Sequence, residues 1–124
     1  MNIKVEAILH ASVLVSDIKR SLEFYLNLLG CELDPARPDL GYPGAWLNVG
    51  KQQIHLLQLP NPDPTERPQH GGHDRHIALQ VNSHEAVKTL LEDKHIPFTT
   101  SKSRSHVVFV RDPDGNALEL IGPA

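Results

Sequence analysis

One order of elements, a strand, a helix and three further strands, is predicted twice along this 124-residue chain. In the first half, apolar and polar side chains alternate over 8–15, and apolar residues then recur at helical spacing over 18–29. The same change of period occurs over 76–81 and 84–94. Three short strands are predicted after each helix. The chain is therefore expected to fold as two α+β modules of the form βαβββ.

The two predicted modules are separated by a connector that is rich in proline. The stretch PNPDPTERPQHGGH, which begins at Pro60, holds four prolines and two glycines and almost no apolar side chain. We expect one domain over 1–124, with module 1 at about 5–60, the connector at 61–73 and module 2 at 74–124.

Alignment of the two halves places four polar residues at equivalent positions. His10 aligns with His76, 66 positions later, on the first strands, and His55 aligns with Glu119 on the last strands. Each of the four lies in an otherwise apolar strand and has the parity opposite to the neighbours that should pack against a helix. All four side chains are therefore predicted to point to the far face of their sheets.

Three imidazoles and one carboxylate, buried together without a cation, would be poorly satisfied. Imidazole nitrogen and carboxylate oxygen are ligands of Zn, Ni, Fe, Mn and Co, so the pattern predicts one divalent transition metal per site. A strand histidine taken alone is more often a hydrogen-bonded core or surface residue. The equivalence of the four positions favours the metal. His70 and His73 share a three-residue spacing with His76, but they belong to the connector.

The composition excludes several other classes of protein. The formal net charge is −3 and no block of like charge occurs, which argues against nucleic acid and anionic membranes as partners. No stretch approaches the ~20 apolar residues of a membrane span, and the first residues do not resemble a secretion signal. A cytoplasmic protein is expected. The single cysteine, Cys31, excludes an internal disulfide.

Three stretches resemble the vicinal oxygen chelate (VOC) superfamily, which contains glyoxalase I, fosfomycin-resistance thiol transferases, extradiol dioxygenases and antibiotic-binding proteins. They are LHASVLVSDIKRSLEFYLNLLGCEL, RHIALQV and VRDPDGNALELIG, of which the last is the most specific. The resemblance implies the glyoxalase/bleomycin resistance/dioxygenase fold. In that fold two βαβββ modules are related by a pseudo-twofold axis, and their mixed sheets curl around a metal cleft.

The resemblance makes His10, His76 and Glu119 the shared metal ligands, and His55 stands where the glyoxalase I branch has a fourth ligand. It also implies a homodimer, often with each metal site completed by both chains. In bacterial glyoxalase I the fourth position is ordinarily a carboxylate that acts as a base. Here that position is His55, so Glu119 is the carboxylate left for proton transfer.

The expected function is that of a metal-dependent, glyoxalase-like lyase or isomerase. It would act on a small α-oxygenated carbonyl substrate by metal-assisted enolisation, with Glu119 as the catalytic residue. A glutathione hemithioacetal is one candidate substrate, although the sequence does not identify residues that bind glutathione. The alternatives are another VOC metalloenzyme, either a thiol transferase or an Fe(II) extradiol-type dioxygenase, or a non-catalytic dimer that binds a small molecule or an antibiotic.

Overall fold

The computed structural model describes residues 2–124 and contains two four-stranded mixed sheets. The chain divides into unit 1 (Met1–Asn61) and unit 2 (Pro62–Ala124). The elements of unit 1 are β1 (His10–Val15), α1 (Ile18–Leu22), β2 (Glu32–Asp34), β3 (Gly44–Val49) and β4 (Gln52–Gln58). Those of unit 2 are β5 (His76–Gln80), α2 (His84–Asp93), β6 (Phe98–Thr100), β7 (Val107–Arg111) and β8 (Ala117–Ile121).

The two sheets have the same topology, β1-β4-β3-β2 in unit 1 and β5-β8-β7-β6 in unit 2. The first strand of each unit pairs in parallel with the last, and the other pairs are antiparallel. The α+β class and the two βαβββ modules predicted from the sequence are confirmed. No helix within residues 2–124 is both long and apolar enough to cross a lipid bilayer.

One face of each sheet is apolar and packs against the helix of its unit. Ile54 and Leu56 of β4 are buried, as are Leu118 and Leu120 of β8. Leu91 of α2 is also buried, and α2 contacts β7. Because successive side chains of a strand point to opposite faces, the residues between these apolar ones lie on the other face, as the alternation predicts.

The helix predicted over 18–29 is not a continuous α-helix. α1 ends at Leu22, and the chain continues as a π-helical segment over Glu23–Leu28, in which the Leu29 amide donates to the Phe24 carbonyl at 3.0 Å. The wider π turn brings Phe24 and Tyr25 together into the core of unit 1. Helical spacing predicted only Tyr25 of these two as buried.

Residues 2–9 precede β1 and expose large apolar side chains. Ile3, Val5 and Leu9 are 95%, 87% and 74% exposed. The strand predicted from position 8 begins at His10, which pairs with Gln53 near the start of β4. Residues 2–9 form an apolar arm, the name used below for this segment.

The connector predicted over 61–73 belongs to unit 2 from Pro62 onward and is held there by one carboxylate. Arg67 and Arg111 each donate a hydrogen bond of 2.8 Å to a different carboxylate oxygen of Asp74. Arg111 also donates to the carbonyls of Pro68 and Gly115, so it links the connector to the β7–β8 turn. The hydrogen bonds from Arg67 and Arg111 lower the pKa of Asp74 to about 2.

We expect Asp74→Asn to lower the free energy of unfolding by about 1–3 kcal/mol, because it leaves two arginines without their charged acceptor. The folded-state pKa of about 2 lies below the usual value of 3.8. The carboxylate's contribution is therefore complete above about pH 4 and is lost as the pH falls toward 2. Urea unfolding at pH 7 and at pH 3 should show the difference between variant and wild type shrinking at the lower pH.

Asp63→Asn is the matched control, since Asp63 lies on the same connector and pairs with the exposed Arg75. It should change the stability by no more than about 0.5 kcal/mol. Equal effects of the two substitutions would contradict a special role for Asp74.

Candidate metal centre

In unit 2 the structure brings together His76 of β5 and Glu119 of β8. The two strands are paired in parallel, and the Nε2 atom of His76 lies 3.0 Å from Oε1 of Glu119. Glu119 is only 6% exposed, which is rare for a carboxylate in a strand that is otherwise apolar. Its burial requires partners for the charge.

The hydrogen bonds of His76 show which ring nitrogen is available for a metal. The Nδ1 atom lies 2.8 Å from the backbone carbonyl of Asp74, which can only accept, so Nδ1 carries the hydrogen. In the neutral ring, Nε2 is then a lone pair that faces the Glu119 carboxylate. Two acceptors at 3.0 Å require a proton or a metal ion between them. Two adjacent ligands held at about 2.1 Å from one metal also lie roughly 3 Å apart, so the donor pair fits a divalent cation.

Arg104, from the loop between β6 and β7, donates to Oε2 of Glu119 at 2.6 Å. The side chain of Arg104 is 47% exposed, whereas that of Glu119 is buried. Both oxygens of the carboxylate are therefore engaged, one by His76 and the other by Arg104. Two other arginines of unit 2 have different partners, since Arg75 pairs with Asp63 and Arg111 holds the connector. Arg104 is the one that contacts a predicted ligand.

In unit 1 the structure brings together His10 of β1 and His55 of β4. Their rings stack with centroids 3.9 Å apart and an interplanar angle of 11°. The indole of Trp46 on β3 also stacks on His55, at 4.7 Å and 10°. Because β4 lies between β1 and β3, His10 and Trp46 cover opposite faces of the His55 ring. A ligand can reach His55 only at the edge of its ring.

The edge of the His55 ring meets a polar side chain at Nε2, which lies 2.8 Å from Oε1 of Gln53. Burial lowers the pKa of His55 below its usual value of 6.5, and the neighbouring charges of His10 and Arg37 lower it further, while Asp34 acts in the opposite direction. A neutral imidazole is favoured, and this is the form that binds a metal.

The four predicted ligands thus occur as two pairs, His10 with His55 and His76 with Glu119. No group of three or more His, Cys, Asp or Glu side chains that could hold a metal ion is present among residues 2–124. The four-ligand centre remains a prediction. Each pair has the composition that the repeat predicts, because one member lies on the first strand of its unit and the other on the last strand.

The residues that support these pairs have no role predicted from the sequence. Trp46 lies opposite His55 in the β3–β4 register, and Phe109 lies opposite Glu119 in the β7–β8 register, so the two aromatic residues are equivalent. Strand parity was the available signal, because Trp46 alternates with the buried Ala45 and so shares the face of the ligands. The first histidine of the connector spacing, His70, packs against Phe109 with ring centroids 4.6 Å apart.

Comparison with known proteins agrees with this arrangement of modules. Residues 7–120 match the model of the Glyoxalase/Bleomycin resistance protein/Dioxygenase superfamily. The chain is 31% identical over 118 residues to Glyoxylase I 4 of Arabidopsis thaliana, and the match covers 90% of this chain and 67% of that protein. It is 30% identical over 122 residues to a lactoylglutathione lyase of Salmonella typhimurium, and the match covers 92% of this chain and 90% of that protein. The solved structure of a glyoxalase family protein from Bacillus anthracis matches with a TM-score of 0.80 and 26% identity, over 100% of both chains.

The stacked rings predict a pH-dependent fluorescence signal from Trp46, the only tryptophan of the chain. We expect emission to fall on acidification with a midpoint below pH 6.5, because a protonated imidazole stacked on the indole quenches it and the pKa of His55 is lowered. His55→Gln should abolish the transition.

His10→Gln provides the contrasting variant. It removes the charge of His10 and one of the rings that bury His55, both of which lower the pKa of His55. The fluorescence transition should therefore persist with its midpoint at a higher pH. A midpoint that does not move would contradict the coupling of the two histidines.

Proposed function

Because the chain belongs to the Glyoxalase/Bleomycin resistance protein/Dioxygenase superfamily, we propose that it is a metal-dependent enzyme of the glyoxalase type. It isomerises a small α-oxygenated carbonyl compound by enolisation. The observation that carries this proposal is the pairing of His76 Nε2 with the buried Glu119 carboxylate at 3.0 Å, in an arrangement that requires a shared cation or proton.

His10, His55, His76 and Glu119 are the residues that would hold the metal, which is a divalent ion of Zn, Ni, Fe, Mn or Co. The donor set of three imidazoles and one carboxylate suits all of these ions. When bound, the metal polarises the oxygens of the substrate and so makes the adjacent carbon–hydrogen bond more acidic.

Glu119 is the group that moves the proton. Its carboxylate takes the proton from the hydroxyl-bearing carbon and returns it to the neighbouring carbonyl carbon, while the hydroxyl proton passes to the former carbonyl oxygen, so that the two carbons exchange oxidation levels. His55, at the equivalent position of unit 1, is stacked between two rings and hydrogen-bonded to Gln53. Only the unit 2 member of this equivalent pair therefore carries a carboxylate base.

Two contacts orient Glu119 and His76 for this role. The carbonyl of Asp74 fixes the ring orientation of His76, as partners of metal-binding histidines commonly do. Arg104 orients the carboxylate through Oε2, and it must release this oxygen if Oε2 is to accept the proton. The exposed side chain of Arg104 has room to turn toward solvent or toward an anionic group of the substrate.

A glutathione hemithioacetal is the substrate that the relatives support. The Salmonella typhimurium relative is named as a lactoylglutathione lyase, and this chain covers 90% of its length. The thiol transferase, the extradiol-type dioxygenase and the non-catalytic binding dimer are the competing functions on this fold. Among residues 2–124, no contact favours any of them over enolisation.

The test is to load purified protein separately with Zn, Ni and Co and to supply methylglyoxal with glutathione. We expect S-lactoylglutathione to form, and elemental analysis should find about one metal ion per chain. In the double variant His10→Ala, Glu119→Ala, metal content should fall at least about tenfold and turnover should be lost, because half of the proposed ligands and the base are removed.

Glu85→Ala is the matched control, since Glu85 is an exposed carboxylate at the start of α2. It should leave metal content and turnover unchanged. Metal content that survives in the double variant would refute the site. A protein that holds metal through these residues but does not turn over methylglyoxal and glutathione would refute the substrate and leave the site intact.

We also infer that residues 1–124 act as one VOC domain and that the chain works as a homodimer. The apolar arm supports the second inference, because Ile3 and Val5 are almost fully exposed and lie next to an edge strand, β1. Exposed apolar segments beside a free sheet edge are normally covered by a partner. A second copy of this chain is the occupant that we expect.

Sedimentation velocity should therefore find a dimer, and Ile3→Glu with Val5→Glu should weaken it by about 10,000-fold, since the two copies together lose four buried side chains that each contribute about 1.5 kcal/mol. Leu40→Glu, an exposed leucine outside the arm, is the control and should sediment as the wild type does. A wild-type protein that is monomeric at micromolar concentration would refute the inference.

A further inference from the structure

Gln53 of β4 connects His55 to one polar residue of β2 and one of β3. Its Nε2 atom donates to Oδ2 of Asp34 at 2.7 Å and to Oδ1 of Asn48 at 2.9 Å. Both amide hydrogens of Gln53 are thereby used. The remaining polar atom, Oε1, lies 2.8 Å from Nε2 of His55.

The orientation of the Gln53 amide is determined by Asp34. An ionised carboxylate only accepts hydrogen bonds, so the amide atom that faces Asp34 must be the nitrogen. Turning the amide over would place its oxygen against the carboxylate and would leave two acceptors in contact. Oε1 therefore faces His55, and because an amide oxygen only accepts, the Nε2 atom of His55 must carry a hydrogen.

Rotation of the His55 ring does not provide another arrangement that satisfies the Gln53 oxygen. His10 and Trp46 stack on its two faces, at centroid distances of 3.9 and 4.7 Å. A half-turn of the ring would replace Nε2 with a carbon at the Gln53 oxygen and would lose the hydrogen bond. In the neutral imidazole one nitrogen is protonated and the other is a lone pair, so the lone pair is at Nδ1.

We propose that Gln53 is a positioning residue that holds His55 as the Nε2–H tautomer, so that Nδ1 is the only ring atom of His55 that can bind a metal. This inference rests on the proposed metal site for its ligand role, but the tautomer itself does not depend on a metal. His76, the histidine of the unit 2 pair, behaves in the opposite way, because the Asp74 carbonyl holds a hydrogen on Nδ1 of His76 and leaves Nε2 without one.

The tautomer is measured on the metal-free, ¹⁵N-labelled full chain at pH 8 by long-range ¹H–¹⁵N correlation, with the His55 signals assigned from their loss in His55→Gln. We expect a protonated Nε2 whose hydrogen exchanges slowly with water, and an unprotonated Nδ1. Gln53→Met should remove the protection from exchange and allow a measurable population of the Nδ1–H tautomer. Finding Nδ1–H in the wild type would overturn the proposal.

Gln52→Met is the matched control. Gln52 is the exposed neighbour of Gln53 on β4, its side chain points to the other face of the sheet, and its substitution should leave the His55 signals unchanged. Loss of the protected signal in this variant as well would show that any change at this end of β4 disturbs the ring, and would count against a specific role for Gln53.

The ligand atom is identified by loading the labelled protein with ¹¹³Cd and recording ¹⁵N–¹¹³Cd coupling. We expect coupling at Nδ1 of His55 and at Nε2 of His76. Coupling at Nε2 of His55, or coupling at His76 without any at His55, would overturn the ligand assignment. Coupling at none of the histidines, together with the Nε2–H tautomer in the metal-free protein, would refute the proposed metal site while supporting the positioning role of Gln53.

Discussion

Parallel pairing between the first and the last strand of each unit is the constraint on which the candidate site depends. It brings residues that are more than 40 positions apart in the chain onto adjacent strands and onto one face. In this register Ser12 lies opposite His55, and Ala78 lies opposite Glu119. Both opposing residues are small, so the histidine at the start of each first strand can lean over them toward the last strand. A larger side chain at either position would separate the pair.

The two units share this scaffold but surround their polar pairs differently. In unit 1 the rings of His10, His55 and Trp46 form a stack, and the stack is tied to a network of neutral and acidic side chains through Gln53. In unit 2 the carboxylate of Glu119 is buried and accepts a hydrogen bond from Arg104. The first environment favours a rigid neutral ligand. The second favours a carboxylate that can exchange partners, which is what a proton-transfer group needs.

Much of the fold could be predicted because local patterns and tertiary packing agree. The alternation around Ile54 and Leu56 predicts the buried face of β4, and the polar pair Asn82 and Ser83 before the helical stripe predicts a cap for α2, which Ser83 provides. The prediction failed where packing overrides local spacing. The π turn that buries Phe24 with Tyr25 has no signature in the apolar period, since an α-helix and a π-helix differ by one residue per turn.

The sequence by itself determined the repeat, the faces of the strands and the identity of the four candidate ligands, because strand parity and the order of elements are local properties of the chain. It did not determine what surrounds those ligands. That Arg104 holds Glu119 depends on two separate elements meeting in space. Asp74 and Gln53 each lie two positions from the ring they orient, but they are themselves held by residues of other elements, Asp74 by Arg111 and Gln53 by Asp34 and Asn48. Only the tertiary structure decided these contacts, because the strand register and loop path that bring them together are set by the packing of each whole unit.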